Sequence, residues 1–519
     1  MPAATIAPDS ADYVIVGAGP AGCVLANRLS AAPGNRVVLL EAGGPDRARE
    51  IRIPAAFSKL FTTAYDWNFR TAPQPQLAGR ELFWPRGKTL GGSTSINAQM
   101  WIRGCAADYD GWGVPGWSYA DVQPYFERIT HPGGPLRIEQ LRSPSPITAA
   151  FLAACAEAGI RATSDLNGPD NSGCSPTPVT QRRGVRHSAA DAYLRPALRR
   201  ANLTVVTGAT VDRLRLSGPG ATKRVTGVTY RASDGTVREL TAQREVLLCA
   251  GAIGSPHILQ LSGIGDPDRL RAAGIAPVVE LPSVGSGLQD HLSAGVVVTC
   301  PQPITMVAAE SLGNVARYLL ARTGMLSSNV AEAVAFVSRD GGAPDIELIF
   351  APVPFIEHGQ VDPPGHGLTI GAVLLQPESR GTVTPASANP SEPPTIEPGY
   401  LTDPRDLETL MWGLRQAEQL ASTTAMKPYV GEPMAPYSGP ADDAALADSI
   451  RQHSETLYHP VGTCRMGDDP SSVVDPELNV RGVTGLRVVD ASVMPRINRG
   501  HTMAPVYMIA EKAAALITR

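Results

Sequence analysis

Two kinds of residue in this 519-residue chain have the type and spacing to do chemistry. The first is the turn Gly17-x-Gly19-x-x-Gly22, set between the apolar run Tyr13–Val16 and a helical stretch from Cys23 to Leu29. Glycines there allow a tight turn and let backbone N–H groups approach a pyrophosphate at a helix N-terminus. Glu41 follows at the end of the next apolar strand, Arg36–Leu40. That is about 20 residues past the turn, where a carboxylate hydrogen-bonds a ribose hydroxyl pair. Strand, turn, helix, strand and spaced acid together point to a dinucleotide, and by themselves leave FAD and NAD equal. The second kind is histidine, whose unperturbed pKa of about 6.5 suits it to take a hydroxyl proton near neutral pH. Of the nine histidines, His131, His358 and His366 lie in Pro- and Gly-rich loops, and His257 and His291 sit in stretches that read as scaffold, so most are surface or structural.

The elements that must hold these residues are legible as apolar runs. Arg244–Cys249 leads into Ala250-Gly251-Ala252-Ile253-Gly254 and a helix, and Leu486–Asp490 precedes a C-terminal helix from about Met503 to Ile517. Continuous apolar strands of this kind belong to a buried parallel sheet. From about Pro301 to Pro460 the texture changes to alternating runs such as Glu332–Val337 and Leu368–Leu374, separated by Pro- and Gly-rich turns. This reads as a substrate domain on an antiparallel sheet, inserted into the nucleotide domain. A length of 519 residues implies two or more domains. The formal net charge of −4 gives a nucleic-acid partner no electrostatic support. Seven cysteines, an odd number with no C-x-x-C pair, argue against a disulfide framework or a zinc site and for a reducing cytoplasm. The stretch Met1–Asp12 lacks a basic segment followed by an apolar core, so no export signal is expected, and no run of ~20 apolar residues suggests a spanning helix.

Longer motifs narrow the chemistry. Arg86-Gly87-Lys88-Thr89-Leu90-Gly91-Gly92-Ser93-Thr94-Ser95-Ile96-Asn97-Ala98, continuing as Trp101-Ile102-Arg103-Gly104 and Asp108-Tyr109-Asp110, resembles the first signature of the glucose–methanol–choline oxidoreductase family. Gly251 to Gly265 resembles the second signature along its full length, and His459-Pro460-Val461-Gly462-Thr463-Cys464-Arg465-Met466-Gly467 resembles the active-site segment. Asp165–Gly168 and Gln289-Asp290-His291 are lesser landmarks, and the resemblance runs from Asp12 to the C-terminus.

The resemblance implies an α/β fold with a Rossmann-like FAD-binding domain on a parallel sheet and an α+β substrate domain on an antiparallel sheet, like p-hydroxybenzoate hydroxylase. The expected division is 1–150, 190–300 and 465–519 for FAD, and 151–189 and 301–464 for substrate. The implied FAD contacts are Gly17, Gly19, Pro20, Ala21, Gly22, Glu41 and Ala42, then Trp67, then Arg86, Gly87, Leu90, Gly91, Gly92, Ser93, Asn97 and Ala98 on the glycine-rich loop. Val211, through its backbone at the adenine, Ala250, Gly251, Asp490, Ala491, His501 and Thr502 complete the set. Trp67 reads equally as a core residue, and Asp490 as a helix cap. The first signature offers no histidine around Ile96 for covalent attachment, so noncovalent FAD is expected; no metal is implied. Cys105 stands where many relatives have histidine.

In the family's catalytic pair, His459 aligns with the general base, and His501 with the residue that orients the alkoxide or shares the proton. The helix from Met503 would turn its positive end toward the flavin. The implied reaction is oxidation of a primary alcohol to an aldehyde, with hydride transfer to flavin N5 and reoxidation by O2, a quinone or another acceptor. Alternatives are a hydroxynitrile lyase-type FAD protein and a choline dehydrogenase. Choline oxidisers usually carry asparagine where this chain has His501, and no cluster to cage a quaternary ammonium is identifiable in sequence. The histidine resembles aryl-alcohol and hydroxymethylfurfural oxidases, which favours a neutral aromatic or furanic alcohol. A monomer or homodimer is expected.

Overall fold

The computed structural model describes residues 7–218 and 223–519. Met1–Ile6, half of the stretch read for an export signal, lie outside the described residues. The chain opens with strand β1 (Ser10–Val16), helix α1 (Pro20–Leu29) and strand β2 (Val37–Glu41). Next come β3 (Gly173–Pro176), β4 (Leu203–Thr207), β5 (Thr210–Ser217), β6 (Lys223–Arg231), β7 (Val237–Leu248) and helix α2 (Gly251–Leu261). The middle holds β8 (Leu292–Thr299), α3 (Leu312–Ala321), β9 (Ala333–Val337), β10 (Ile346–Ala351), β11 (Gly367–Leu374) and α4 (Pro404–Ala421). The chain ends with β12 (Glu455–Thr456), β13 (Val483–Thr484), β14 (Leu486–Val488) and helix α5 (Met503–Ile517).

The first sheet runs β13-β6-β7-β1-β2-β4, with β14 on β7 and β5 on β6. Its centre, β7-β1-β2-β4, is parallel, as the unbroken apolar runs require. The expected strand at Arg244–Cys249 is the end of a longer one. β7 spans 12 residues, its first part pairing antiparallel with β6 and its last three residues, Val246, Leu247 and Leu248, buried between β1 and β14. α1 begins at Pro20, earlier than the helical stretch read from Cys23, because proline at the first helical position loses a donor that has no partner anyway. α1 and α5 lie side by side, tied by Arg28 and the fully buried Glu511 at 2.7 Å, so both helix starts open on the same space.

The second sheet runs β12-β8-β11-β10-β9-β3, antiparallel throughout. It corrects the expected division at residue 300. β8 (Leu292–Thr299), counted with the nucleotide part, is a central strand of this sheet, because its apolar face packs in the same core as β11 and α4. The strands are two-sided. Leu368, Ile370, Ala372 and Leu374 share a core with Leu410, Leu414 and Ala417 of α4. The alternate residues Thr369, Gly371 and Val373, with Gly295 and Val297 of β8, face a cavity between the two sheets. The period of two along a strand makes this division. No helix among the described residues is long and apolar enough to cross a membrane.

Candidate active site

A cavity of about 1330 Å³ runs from the Gly17–Gly22 turn to the second sheet. That exceeds the roughly 300–1,000 Å³ of an ordinary small-molecule pocket and leaves room for a dinucleotide and a second small molecule. At one end lie Gly17, Gly19, Pro20, Ala21, Glu41, Ala42 and Val211. A Cβ built on Gly19 meets nothing within 4 Å, so the turn presents open backbone to the cavity. Gly22 does not line it; a Cβ there would fall 1.9 Å from the Gly17 oxygen, so its role is to let α1 close on the turn. The Glu41 carboxylate accepts the Ala18 and Gly43 amides, each at 2.8 Å, and burial pushes its pKa up to about 7.

The loop after Arg86 supplies Arg86, Gly87, Gly92, Ser93, Asn97 and Ala98 to the cavity wall. Leu90 and Gly91, expected beside them, do not line it. Gly91 is the left-handed residue (φ 89°) whose amide bonds the Ala18 carbonyl, and Leu90 packs on the first core. Asn97 Oδ1 accepts from the buried Arg186 at 2.8 Å and from the Gln99 amide, and its NH2 donates to the Met503 sulfur, leaving one N–H to offer. Trp67 lines the cavity and also packs, stacked on Phe69 at 5.7 Å with Lys88 over its ring. Ala250, Gly251, Asp490, Ala491 and Thr502 line it as well. Asp490 caps the short helical turn Ala491–Val493 by taking the Ser492 amide and hydroxyl on one oxygen, while its other oxygen accepts the Gly251 amide and the Ser255 hydroxyl at the start of α2. Cys105 is buried at the start of the helix Ala106–Asp110, away from the cavity wall.

At the far end His459 and His501 meet edge to face, ring centroids 4.8 Å apart and planes at 85°. Both line the cavity. The His459 amide donates to Asp290 at 2.6 Å, and Arg86 holds the Tyr458 carbonyl one residue earlier, so the loop that carries His459 is pinned on both sides. His459 Nδ1 lies 3.0 Å from His291 Nδ1, and His291 Nε2 lies 3.1 Å from the Leu375 carbonyl. A carbonyl can only accept, so His291 carries its proton on Nε2. Burial and the neighbouring His501 lower the His291 pKa to about 3, so the ring is neutral and its Nδ1 is a bare acceptor. His459 Nδ1 must then be the donor. That leaves a lone pair on His459 Nε2, which has no partner among the described residues. Burial, with His501, His291 and Arg86 nearby, holds the His459 pKa well below its ordinary value, so this lone pair is present at neutral pH.

His501 Nε2 lies 3.0 Å from Oε1 of Glu347. Glu347 is fully buried, and its second oxygen has no partner among the described residues. It reaches His501 because it sits on β10 with the parity of Ile349 and Ala351, which face the cavity, rather than that of Leu348 and Phe350, which face the core. Sequence reading missed Glu347, although an acid inside the apolar run Ile346–Ala351 is the signal that marks it. It also read His291 and His257 as scaffold. His257 lines the cavity with a buried Nε2 that has no partner among the described residues, and burial lowers its pKa to about 4.

One wall could not be identified in the sequence. Phe57, Phe61, Phe83, Phe355 and Tyr458, dispersed over the chain, line the cavity together. Phe61 lies 5.9 Å from Tyr458 and 6.0 Å from Phe83, and Phe57 lies 6.1 Å from Phe355. Tyr458 OH and His358 Nδ1 are 2.6 Å apart, and His358 Nε2 is 3.1 Å from Glu455.

Comparison with known proteins agrees with this architecture. Two family models described as GMC oxidoreductase match residues 11–293 and 377–510. An uncharacterized GMC-type oxidoreductase of Mycobacterium tuberculosis is 51% identical over 528 residues, covering 98% of this chain and 99% of that protein. The alcohol dehydrogenase [acceptor] of Pseudomonas putida is 40% identical over 534 residues, covering 98% and 96%. The crystal structure of pyridoxine 4-oxidase from Mesorbium loti superposes with a TM-score of 0.89 at 32% identity, covering 97% of this chain and 98% of that one.

Proposed function

Because this chain belongs to the GMC oxidoreductase family, whose cofactor is FAD, we propose that it oxidises a primary alcohol to the aldehyde with His459 as general base. The chain's own residues fit the cofactor. α1 and α5 both start at the cavity without a side-chain cap and without an acid in the first turn, which suits a pyrophosphate and a negative reduced ring. The Gly19 turn is open to close approach, and Glu41 keeps lone pairs for ribose hydroxyls. No histidine stands around Ile96, so FAD is held noncovalently.

Bound FAD supplies the hydride acceptor. His459 Nε2 takes the hydroxyl proton as hydride leaves the carbon. His501, held through Nε2 by Glu347, stands beside His459 at the same oxygen and orients it. The observation that carries this reading is the bare His459 Nε2, held neutral beside His501 at the cavity surface. A lyase reading has no comparable support: the curated relatives described above carry the names of oxidoreductases.

The alcohol is best taken as one with an aromatic or furanic body, on the strength of the Phe57–Phe61–Phe83–Phe355–Tyr458 wall. The same wall, with Glu455 beside it, also favours a second reading, a cationic amino alcohol of the choline type. Anaerobic bleaching of the flavin by a panel of benzylic, furanic and quaternary-ammonium alcohols separates the two. Peroxide formation against dye reduction then identifies the acceptor. Failure of every alcohol to bleach the flavin would overturn the oxidation reading.

A further inference from the structure

Helix α3 (Leu312–Ala321) is amphipathic with the wrong side out. Leu312 and Leu320 are 90% and 89% exposed and Leu319 is 61% exposed, while Tyr318 on the opposite side is buried. At about 100° per residue, Leu312, Ala316, Leu319 and Leu320 fall within an arc of about 100°. Val307, in the turn before the helix, adds to the apolar surface at 37% exposure. Tyr318 OH bonds the Arg52 and Gly184 carbonyls, each at 3.2 Å, which prevents the helix from rolling its leucines inward.

Arginines surround the C-terminal end of this helix. Arg317 and Arg322 lie on and just after it, and the turn at Gly184 packs against the Arg322 carbonyl and the Arg142 side chain, bringing in Arg182 and Arg183. Arg142, Arg182, Arg183, Arg317 and Arg322 are all exposed, and none forms an ion pair with a carboxylate among the described residues. The nearby acids are engaged: Glu310 is held by Lys59, and Glu139 accepts the Arg183 amide. A chain of net charge −4 thus carries a local cationic surplus beside its most exposed leucines.

We propose that this face docks the protein on an anionic lipid bilayer, the leucines entering the headgroup–acyl boundary and the arginines pairing with lipid headgroups. Exposed leucine on a short helix flanked by cations is the arrangement that lies in a membrane interface. A second copy of the chain is the weaker occupant. A two-fold contact through this face would set the same arginines on both sides, where they repel. The turn Met325–Ser327 packs against both α3 and the helical turn Pro54–Leu60, whose Phe57 lines the cavity, so the docked face adjoins the aromatic wall.

The test is co-sedimentation of the FAD-loaded, full-length enzyme with phosphatidylcholine vesicles and with mixed phosphatidylcholine–phosphatidylglycerol vesicles. Pelleting with the mixed vesicles only, weakened by high salt, is expected. Leu319→Asp/Leu320→Asp and Arg317→Glu/Arg322→Glu, all at exposed positions, should each lower the bound fraction on the order of ten-fold with unchanged flavin content and unchanged turnover of dissolved substrate. Absence of pelleting, or equal pelleting of wild type and variants, overturns the proposal. So does a dimer in analytical ultracentrifugation that Leu319→Asp/Leu320→Asp dissociates, because the face is then a self-interface.

Discussion

His291 and His459 face each other nitrogen to nitrogen, Nδ1 to Nδ1 at 3.0 Å, across 168 residues of sequence. The Leu375 carbonyl sets the His291 tautomer, and His291 in turn sets that of His459. The basic lone pair of the site therefore traces to a backbone carbonyl just past the end of β11.

Substitution of the base is the most direct consequence. His459→Ala is expected to fold and bind FAD yet to lose flavin reduction ~10²–10⁴-fold, the usual cost of losing a general base. The anaerobic reduction rate at saturating alcohol measures it. A folded, flavin-loaded variant that reduces at a near-native rate rules the role out.

The tautomer chain predicts a graded response at His291. His291→Leu leaves His459 Nδ1 without an acceptor, so its proton can move to Nε2, and reduction should fall on the order of 10²-fold. His291→Gln keeps an amide oxygen as acceptor and should recover part of the rate. Equal loss in both variants would mean that His291 acts through packing alone.

Glu347 and His501 are expected to behave as a unit. A hydrogen bond to a charged group is worth about 1.5–3 kcal/mol, so Glu347→Gln should slow reduction ~10–100-fold. Glu347→Gln added to His501→Ala should cost little more, because the carboxylate then has no imidazole to act on. Clean multiplication of the two losses would separate them.

Cofactor attachment has a simple readout. Acid precipitation should release all of the yellow flavin into the supernatant. Flavin retained in the protein pellet contradicts the noncovalent assignment drawn from the histidine-free loop around Ile96.

Buried neutral histidines predict the direction of acid sensitivity. His291 at about 3 and His257 at about 4 lie below the ordinary 6.5, and His459 lies well below it. In that window the unfolded chain binds protons that the folded chain refuses, so stability rises with pH. Stability should therefore fall as pH drops from 6.5 toward 4, read by denaturant midpoints at each pH, and His257→Asn should flatten the slope. The acid limb of kcat/KM should likewise lie below 6.5, since His459 stays a free base there.

The local elements were legible in the sequence for a local reason. The Gly17–Gly22 turn, the apolar strand β2 ending at Glu41 and helix α5 from Met503 to Ile517 each follow from contacts within one strand, turn or helix, and turn chemistry and hydrophobic periodicity record those contacts in order along the chain. The family motifs carried His459 and His501 as well. What decides their chemistry was not legible. Glu347 meets His501 across 154 residues because β10 pairs with β11 and turns alternate side chains into the cavity. The same pairing of the second sheet claims β8 for the substrate side, and chain folding alone gathers Phe57, Phe61, Phe83, Phe355 and Tyr458 into one wall. Strand register and sheet order are set by the packing of one whole face against α4 while the other lines the cavity. No short run of sequence contains that information, because each partner is apolar or isolated until the sheet brings them together.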